Sequence, residues 1–500
     1  MIRFSAGTGF AELVTVQSRR FRPSRSGAVA GERLRRAGFP IGSEIPTIDR
    51  RRDQVMDARK APNVVIIGLG YVGLTLSVAL ARRGVQVYGI EKRADVVEKT
   101  NAGVPHFAEV GLQAALADVV KKGRFIASTT THDVPRAEYY IITVGTPLYP
   151  GSHEPRLDMI EEATREVAEH FTEGATVILR STVRIGTTTG VVKPILDRTG
   201  TPYHLAMCPE RTLEGDAMRE LINLPQIVGG ETPDASDAAA ALFSRLTHTI
   251  VRVASPETAE MIKLVDNTSR DVHFAFANEV ARACDALGIN ANDVIRYGKL
   301  GYTRTNVAAP GLVGGPCLEK DPHILLSSVS GQGVNLEITA ASRLVNERQP
   351  AETVGSLVER LRTRRAGPFK AVVAGLAFKG RPETDDLRGS MSLHVIREMM
   401  ATEQFSEIRV YDGVVPMDHI RAISSGLTPY DSLAAACEGA DVLVIANNHP
   451  EYSKIDLETI IGTMSDDAFV YDYWNNLSEM PAEVLENRYV TVGNLVGKFQ

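Results

Sequence analysis

Hydrophobic runs separated by glycines become regular near residue 63, and they predict a strand–helix–strand unit. An apolar run at 64–67 is followed by Gly68, Gly70 and Gly73, by a helical stretch, and by a second apolar run that ends at Glu91. Short apolar runs bounded by turn residues are typical of strands buried on both faces of a parallel sheet. The pattern therefore predicts a βαβ unit at the start of the folded chain.

The same alternation continues and then changes period. Strand-like runs follow at 139–147, 175–183 and 201–210. From about residue 256 to 297 the period is helical, with no strong breaker before Gly288, and helix-like sequence then continues to about residue 363. Strand-like runs return in FKAVVAGLAFKG, EIRVYDG, ADVLVIANNH and DAFVYDYWN.

These changes predict an α/β protein built from parallel sheets with helices on both faces. We expect an N-terminal Rossmann-like domain at 61–255, a central domain with one or two long helices at 256–363, and a second Rossmann-like α/β domain at 364–500. A length of 500 residues agrees with several domains, because one hydrophobic core does not grow to that size.

Composition narrows the class of protein. The chain is 44% hydrophobic and 23% charged, and it has no apolar run long enough to span a bilayer. A net charge of −6 argues against a nucleic-acid partner. Four scattered cysteines predict neither a disulfide framework nor a metal site, so we expect a cytoplasmic protein. Cys208, Cys284 and Cys437 are expected to be buried core thiols.

The first 60 residues differ from the rest. They contain thirteen Lys and Arg against six Asp and Glu, so they carry a net +7 and leave −13 for the remainder. They are rich in Arg, Ser, Gly and Pro and lack the h-region of a secretory signal. This segment could be a targeting or anion-binding arm. We favour a disordered extension, or upstream sequence translated ahead of a start at Met56.

The glycine turn carries the first chemical signal. Gly68, Gly70 and Gly73 have G-x-G-x-x-G spacing after a strand and before a helix, with an acid at the end of the next strand. Such a turn holds a pyrophosphate at the helix N-terminus. Glu91 would bind the ribose hydroxyls, which favours NAD over NADP, although Lys92 and Arg93 leave tolerance of a 2′-phosphate open. The expected cofactor contacts here are Gly68, Gly70, Tyr71, Val72, Gly73, Glu91 and Lys92.

Four later stretches combine reactive side chains with turns: STVRIGTT at 181–188, CPERTLEG at 208–215, KLVDN at 263–267 and GGPCLEKD at 314–321. Lys263 and Asn267 are four residues apart on one helix face, with Arg270 alongside. Taken by itself, Cys317 could be a packed thiol or a nucleophile.

Together with GLGYVG, VGTP at 144–147 and GLAFKGRPETDDLR at 375–388, these stretches resemble the UDP-glucose/GDP-mannose dehydrogenase family. The resemblance runs from about residue 62 to 490. It implies a four-electron oxidation of the C6 alcohol of a nucleotide sugar to a carboxylate with two NAD⁺. It also implies a C-terminal domain that binds the UDP-sugar, a homodimer or higher oligomer built on the central helices, and a role in polysaccharide precursor synthesis.

The resemblance also assigns roles to individual residues. Cys317 matches the family's nucleophile, which forms a thiohemiacetal and then a thioester. Lys263 matches the lysine that stabilises the oxyanion, with Asn267 as its companion. Glu210 matches the carboxylate that assists water in thioester hydrolysis, and Thr182 and Asp321 would order that water and Lys263. Further cofactor positions are Thr146, Thr182, Glu214 and Arg388. The expected substrate positions are Glu210, Arg211, Thr212, Lys263, Asn267, Arg270, Arg304, Gly314, Phe378 and Lys379.

The identity of the sugar rests on smaller features. NTSRDVHFAFANE at 267–279, Arg211 and the Arg-x-Asn segment at Arg304 resemble enzymes that act on UDP-N-acetylhexosamines such as UDP-N-acetylmannosamine. Tyr302, Pro316 and Glu214 depart from that branch, so UDP-glucose remains open as the substrate. The sequence also leaves two different functions open: a single-step dehydrogenase of the hydroxyacid type, which needs no cysteine, and a non-catalytic nucleotide-sugar binder.

Overall fold

An eight-stranded sheet forms the first part of the chain in the computed structural model, which describes residues 61–477, 488–495 and 497. The basic extension at 1–60 lies outside the described residues. The strands of this sheet are β1 Asn63–Ile67, β2 Gln86–Ile90, β3 Phe125–Ser128, β4 Tyr139–Ile142, β5 Ala175–Leu179, β6 Tyr203–Met207, β7 Gln226–Gly230 and β8 Ile250–Arg252. Their order is β3-β2-β1-β4-β5-β6-β7-β8.

Helices cover both faces of this sheet. They are α1 Tyr71–Arg82, α2 Ala94–Asn101, α3 Leu112–Lys121, α4 Asp158–His170, α5 Lys193–Asp197, α6 Ala217–Asn223 and α7 Pro233–Phe243. Successive residues of β1 alternate between two cores. Val64 and Ile66 pack into one, whereas Val65 and Ile67 pack into the other. This two-sided burial is why the strand has a continuous apolar run.

Two strands, β7 and β8, depart from the predicted parallel arrangement, because they are parallel to each other and run opposite to the other six. Strands β6 and β7 are antiparallel, with Ala206 opposite Gly230 and Met207 opposite Gly229. Between them lie the loop 208–216, at the carboxyl end of the sheet, and the seven-residue α6. A helix of that length extends only about 10 Å, so the chain re-enters the sheet from the end at which it left. The reversal leaves the CPERTLEG segment at the carboxyl edge of the sheet.

The central part is helical, as the sequence predicts. Its helices are α8 Pro256–Leu287, α9 Ala291–Gly298, α10 Gly315–Leu318, α11 Asp321–Ser328, α12 Glu337–Glu347 and α13 Gln349–Arg362. Helix α8 has 32 residues, begins at the Ser255 N-cap and ends at Gly288 in the left-handed conformation. The helix thus ends at Gly288, the first strong breaker in its sequence.

A six-stranded parallel sheet forms the C-terminal part, as predicted. Its strands are β9 Phe369–Ala374, β10 Phe405–Tyr411, β11 Thr428–Pro429, β12 Val442–Ile445, β13 Phe469–Asp472 and β14 Tyr489–Thr491, and its helices are α14 Met391–Ala401, α15 Met417–Arg421, α16 Leu433–Cys437 and α17 Leu457–Thr463. The sheet order is β11-β10-β9-β12-β13-β14. Cys208, Cys284 and Cys437 are buried, as expected. Over the described residues, every helix is too short or too polar to cross a membrane.

The last described segment packs against the central helices. The carboxylate of Asp285 on α8 accepts hydrogen bonds from the backbone N–H groups of Gly493, at 3.1 Å, and Leu495, at 2.9 Å. The carbonyl of Gly493 accepts from the N–H of Ala291 at 2.8 Å. Gly493 has a φ of +76°, and a Cβ there would overlap Ala291. Close approach at this residue thus joins the C-terminal sheet to α8 and α9.

We expect Gly493→Ala to lower the free energy of unfolding by about 1–3 kcal/mol, because the new methyl would be overpacked and the backbone strained. Gly462→Ala, in α17, is the matched control, since a Cβ there meets no atom within 4 Å. Urea unfolding monitored by circular dichroism measures both. Equal stability of the two variants would contradict the packing described for Gly493.

Candidate active site

The glycine turn between β1 and α1 has the close approach that a dinucleotide site requires. Gly68 has a φ of +94°, a conformation that favours glycine. A Cβ on Gly73 would collide with the carbonyl oxygen of Gly68, so only glycine lets α1 begin this close to the strand. The first N–H groups of α1 and the positive end of its dipole therefore lie at the turn, where a diphosphate binds favourably.

Glu91 lies beside this turn, as predicted. Its carboxylate accepts from the N–H of Leu69 and of Arg93, each at 3.1 Å. Lys92, which we expected to contact the cofactor, instead forms an ion pair with Glu162 on α4. Both of these side chains are exposed, so the structure does not bring the Lys92 ammonium to the glycine turn.

Tyr71 connects the glycine turn to the CPERTLEG loop. Its hydroxyl donates to the carboxylate of Glu109 and accepts from the N–H of Gly215 at 2.9 Å. Glu109 also accepts from the N–H of Gly215, at 2.7 Å, and of Ala217, at 2.8 Å. Burial and the neighbouring Glu109 raise the pKa of Tyr71 well above its usual value. Sequence reasoning missed Glu109, which lies in a loop without a recognisable motif.

Two predicted threonines meet where β4 and β5 end. The Thr146 hydroxyl donates to the Thr182 carbonyl at 2.5 Å. The carboxyl ends of neighbouring parallel strands lie at one edge of a sheet, which is where open α/β sheets bind ligands.

Glu210 is buried and fully engaged. One carboxylate oxygen accepts from the guanidinium of Arg180, at 2.5 Å from Nη2 and 3.1 Å from Nε. The other accepts from the N–H groups of Arg211 and Thr212, at 2.7 and 2.8 Å. Burial opposes ionisation, but Arg180 and these donors outweigh it, so the pKa of Glu210 lies below its usual value. Sequence reasoning missed Arg180, and its signal was an arginine directly after the buried strand β5.

Glu214 faces the C-terminal domain. Its carboxylate accepts from the Thr384 hydroxyl at 3.1 Å, and its carbonyl accepts from Lys379 Nζ at 2.5 Å. Burial and the neighbouring Asp386 raise the pKa of Glu214 to about 7, against the opposing charges of Arg388 and Lys379. Burial in turn lowers the pKa of Lys379. Residues 379–388 thus cover the loop that carries Glu210 and Glu214.

Helix α8 supplies Lys263 and Asn267, both buried. The Asn267 amide donates to Asp321 Oδ2 at 2.6 Å, and Lys320 Nζ lies 3.0 Å from Asp321 Oδ1. Asp321 is the first residue of α11, so these contacts join the Lys263 helix to the segment that follows Cys317. Of the predicted group of Lys263, Asn267 and Asp321, the structure thus brings Asn267 and Asp321 into contact, and Lys263 lies one turn before Asn267 on α8.

Cys317 lies in the four-residue helix α10, which packs against the C-terminal domain. The N–H of Gly315 donates to the carbonyl of Gly389 at 2.7 Å. Gly315 has a φ of +86°, and a Cβ there would overlap the ring of Phe378. A Cβ on Gly314 would lie 2.5 Å from the Gly389 carbonyl oxygen. The two glycines therefore let Phe378 and Gly389 reach the cysteine turn.

The Cys317 side chain remains accessible, yet the surrounding protein displaces enough bulk water to raise the pKa of the thiol. Positive charge on Lys263 and Lys320 opposes this rise, while Asp321 and Glu214 add to it. The resting side chain is thus a thiol rather than a thiolate, with Lys263 as its main cationic neighbour.

The remaining predicted substrate residues are three arginines whose side chains are partly or fully exposed. Arg211 Nε pairs with Asp266 Oδ2 at 2.8 Å, beside Asn267. Arg270 is exposed on α8 and acts electrostatically on Lys379. Arg304 is also exposed, and its guanidinium lies 4.7 Å from the centre of the Tyr302 ring. The structure describes no contact between Arg304 and Cys317 or Lys263.

The residues at the glycine turn fit a dinucleotide. The turn leaves no room for a Cβ at Gly73, the N-terminus of α1 is directed to it, and the Glu91 carboxylate lies beside it. Nothing in the described part of the chain gathers three metal-ligating side chains around a common point.

Three consecutive family models match the chain. Residues 62–247 match the NAD-binding domain of the UDP-glucose/GDP-mannose dehydrogenase family, residues 257–348 match its central domain, and residues 372–479 match its UDP-binding domain.

Relatives and solved structures agree with these matches. The UDP-N-acetyl-D-mannosamine dehydrogenase of Pyrococcus horikoshii is 34% identical over 84% of this chain and 96% of its own length, and that of Escherichia coli K12 is 33% identical over 79% and 96%. The solved Pyrococcus horikoshii enzyme superposes with a TM-score of 0.78 at 32% identity, covering 87% of this chain and all of the other. A UDP-glucose dehydrogenase from Pyrobaculum islandicum has a TM-score of 0.76 at 27% identity, covering 85% and 97%.

The raised pKa of Glu214 predicts a pH-dependent stability. Its folded value is about 7, against about 4.3 in an unfolded chain. The folded protein therefore favours the protonated acid, and this contribution is present below about pH 4 and is lost as the pH rises through 7. Between pH 5 and 8 we expect wild type to lose about 2–3 kcal/mol more stability than Glu214→Gln.

Urea unfolding at the two pH values measures this difference, and Glu98→Gln, an exposed position on α2, is the control. The Glu98 variant should lose as much stability as wild type does. An unchanged pH dependence in Glu214→Gln would show that Glu214 titrates normally.

Proposed function

Since the chain belongs to the UDP-glucose/GDP-mannose dehydrogenase family, and is therefore an NAD-dependent nucleotide-sugar dehydrogenase, we propose that it oxidises the C6 hydroxyl of a UDP-N-acetylhexosamine to a carboxylate. UDP-N-acetylmannosamine is the favoured substrate, because the relatives that are 31–34% identical to this chain are UDP-N-acetyl-D-mannosamine dehydrogenases. UDP-glucose is the second candidate, favoured by the likeness to the Pyrobaculum islandicum enzyme.

One observation carries this proposal. The Cys317 turn lies against Phe378 of the C-terminal domain, and Lys263 on α8 acts electrostatically on its thiol. A cysteine, a buried lysine and a nucleotide-binding domain thus converge at one place. A dehydrogenase that stopped at the aldehyde would have no use for that cysteine.

The glycine turn with Glu91 would hold NAD⁺, which accepts a hydride in each of the two oxidations. Lys263 and Asn267 bind and stabilise the oxygen at C6 as negative charge develops on it. Thr182 and Asp321 order Lys263 and the water that later hydrolyses the thioester, and the proton of the C6 hydroxyl is lost to solvent. Lys379, Phe378 and Arg388 bind the nucleotide and its diphosphate, for which guanidinium and ammonium groups are suited.

Cys317 then captures the aldehyde. Its sulfur forms a bond to C6, and the thiol proton passes to the aldehyde oxygen beside Lys263. A second NAD⁺ would accept the hydride from C6, and the hydroxyl proton of the thiohemiacetal passes to water, which leaves a thioester. Water adds to the thioester carbonyl, the C–S bond breaks, and the carboxylate leaves while the thiol is restored. Glu210, which Arg180 keeps ionised, assists that water by exchanging one of its four hydrogen bonds for one from the water.

We further propose that the protein works as a homodimer built on α8 and supplies a uronic acid for polysaccharide synthesis. The dimer proposal rests on an apolar stripe along α8: Met261, Val265, Phe276 and Leu287 are 41%, 44%, 55% and 72% exposed. At about 100° per residue they share one face of the helix. Ile338 and Leu344 of α12 are also exposed, at 71% and 60%. Adjoining apolar positions of this kind mark protein interfaces.

The proposed chemistry predicts two NADH per sugar. Purified protein should be assayed against UDP-N-acetylmannosamine, UDP-N-acetylglucosamine, UDP-glucose and GDP-mannose, with NADH counted and the product weighed by mass spectrometry. The highest kcat/KM should belong to UDP-N-acetylmannosamine. Cys317→Ala should form no acid while its NAD affinity stays unchanged. Preference for UDP-glucose would select the second candidate substrate, and one NADH per sugar in wild type would refute the four-electron mechanism.

A charge on the apolar stripe should separate the dimer. We expect Phe276→Glu to sediment as a monomer, because a carboxylate would be desolvated at the interface. Val110→Glu is the control, since Val110 is 71% exposed in the loop before α3. Analytical ultracentrifugation measures both variants. A Phe276 variant with the same sedimentation coefficient as wild type would exclude α8 as the interface.

A further inference from the structure

A buried ion pair lies directly behind the cysteine turn. Arg343 of α12 is 1% exposed and Asp271 of α8 is 0% exposed. Arg343 Nη1 donates to Asp271 Oδ1 at 2.6 Å and to the backbone carbonyl of Leu318 at 2.9 Å. Leu318 is the residue after Cys317, so the guanidinium holds the turn that carries the sulfur.

The guanidinium is itself held in place. Asn346, on the next turn of α12, donates to the Asp271 carboxylate at 2.9 Å and to its backbone carbonyl at 3.1 Å. Glu347 lies 3.3 Å from Arg343 Nε. These contacts leave the forked side chain one orientation. A lysine could not reproduce it, because a single ammonium on a shorter side chain cannot occupy the positions of both Nε and Nη1.

The turn is therefore fixed from two sides. Gly389 of the C-terminal domain accepts from Gly315 at the start of α10, and Arg343 donates to Leu318 at its end. A buried ion pair adds little stability by itself, because desolvation offsets the attraction. The pair does, however, place one carbonyl group accurately, and that carbonyl belongs to the turn of the nucleophile.

We propose that Arg343 is a positioning residue for Cys317, needed for aldehyde capture but not for the first oxidation. This inference rests on the proposed function, in which Cys317 acts only after the aldehyde has formed. Asn267, which accompanies Lys263 on α8, is held by Asp321 rather than by Arg343. A displaced sulfur consequently leaves the first hydride transfer intact and slows the addition of sulfur to C6, since a shift of about 1 Å can slow a reaction of the order of 10²-fold.

The test measures aldehyde that escapes capture. Reactions run with hydroxylamine convert free aldehyde to an oxime, which mass spectrometry quantifies beside the acid, while NADH is counted. Wild type should give two NADH per sugar and negligible oxime. Arg343→Lys should give fewer than two NADH and an oxime fraction about tenfold or more above wild type. Its KM for the sugar and its Kd for NAD should be unchanged.

Three further variants complete the experiment. Asp271→Asn/Arg343→Met leaves no buried unpaired charge, so it is judged by the same criteria if Arg343→Lys does not fold. Arg348→Met is the control, because Arg348 pairs with Glu352 on α13 and is partly exposed; it should behave as wild type. Cys317→Ala should give oxime and no acid.

The outcomes separate the two proposals. Acid from Cys317→Ala at near the wild-type rate would overturn the proposed thioester mechanism. If Cys317→Ala behaves as expected but the Arg343 variants keep two NADH per sugar without oxime, the positioning role is refuted, whether or not their kcat has fallen. Oxime from the Arg343 variants, with unchanged ligand affinities and a wild-type Arg348 control, supports it.

Discussion

The arrangement of the whole candidate site depends on an inward-facing polar stripe of α8, in which Asp285 is half-buried and the other members are buried. Glu260, Asn267, Asp271, Asn278 and Asp285 lie within about 40° of one another on this helix at about 100° per residue. Each holds a different segment through side-chain hydrogen bonds. The segments held are the 186–188 turn, Asp321, the Arg343 guanidinium behind Leu318, Gly311, and residues 493–495. A polar group that is buried without a hydrogen-bond partner destabilises the folded state. Each of these hydrogen bonds therefore constrains the position of the segment that it contacts.

This helix reverses the usual amphipathic pattern, because its polar stripe is inside and an apolar stripe is outside. The opposite face carries Met261, Val265 and Phe276, all exposed. The apolar residues that this helix buries within the chain are mostly small, such as Ala275, Ala277 and Ala281. It gains stability from the loops that its polar groups bind and, in the proposed dimer, from a second copy. The same helix thus organises the candidate site and carries the apolar stripe on which the proposed dimer rests.

The elements were largely predictable, whereas the contacts between them were not. The periodicity of hydrophobic residues and the spacing of glycines located β1, α1, the long α8 and the second α/β unit. These signals come from residues that are close together in the sequence. The reversed direction of β7 and β8 was missed, since the length of α6 rather than any residue pattern decides the direction in which the chain re-enters the sheet. Cys317, Lys263 and Asp321 were found through a family resemblance. Arg180, Glu109 and Arg343 were missed, because each acts on residues at least 25 positions away.

The charges around Cys317 explain how a resting thiol suits the proposed chemistry. Burial raises its pKa, and Asp321 and Glu214 add to the effect while Lys263 opposes it. A thiolate would be a stronger nucleophile, but it would also be open to oxidation and alkylation between turnovers. Addition of a thiol to an aldehyde creates no net charge, because the sulfur's proton moves to the aldehyde oxygen. Lys263 need only favour that oxygen as negative charge develops on it. The site can therefore keep Cys317 neutral at rest and activate it at the moment when the aldehyde lies beside Lys263.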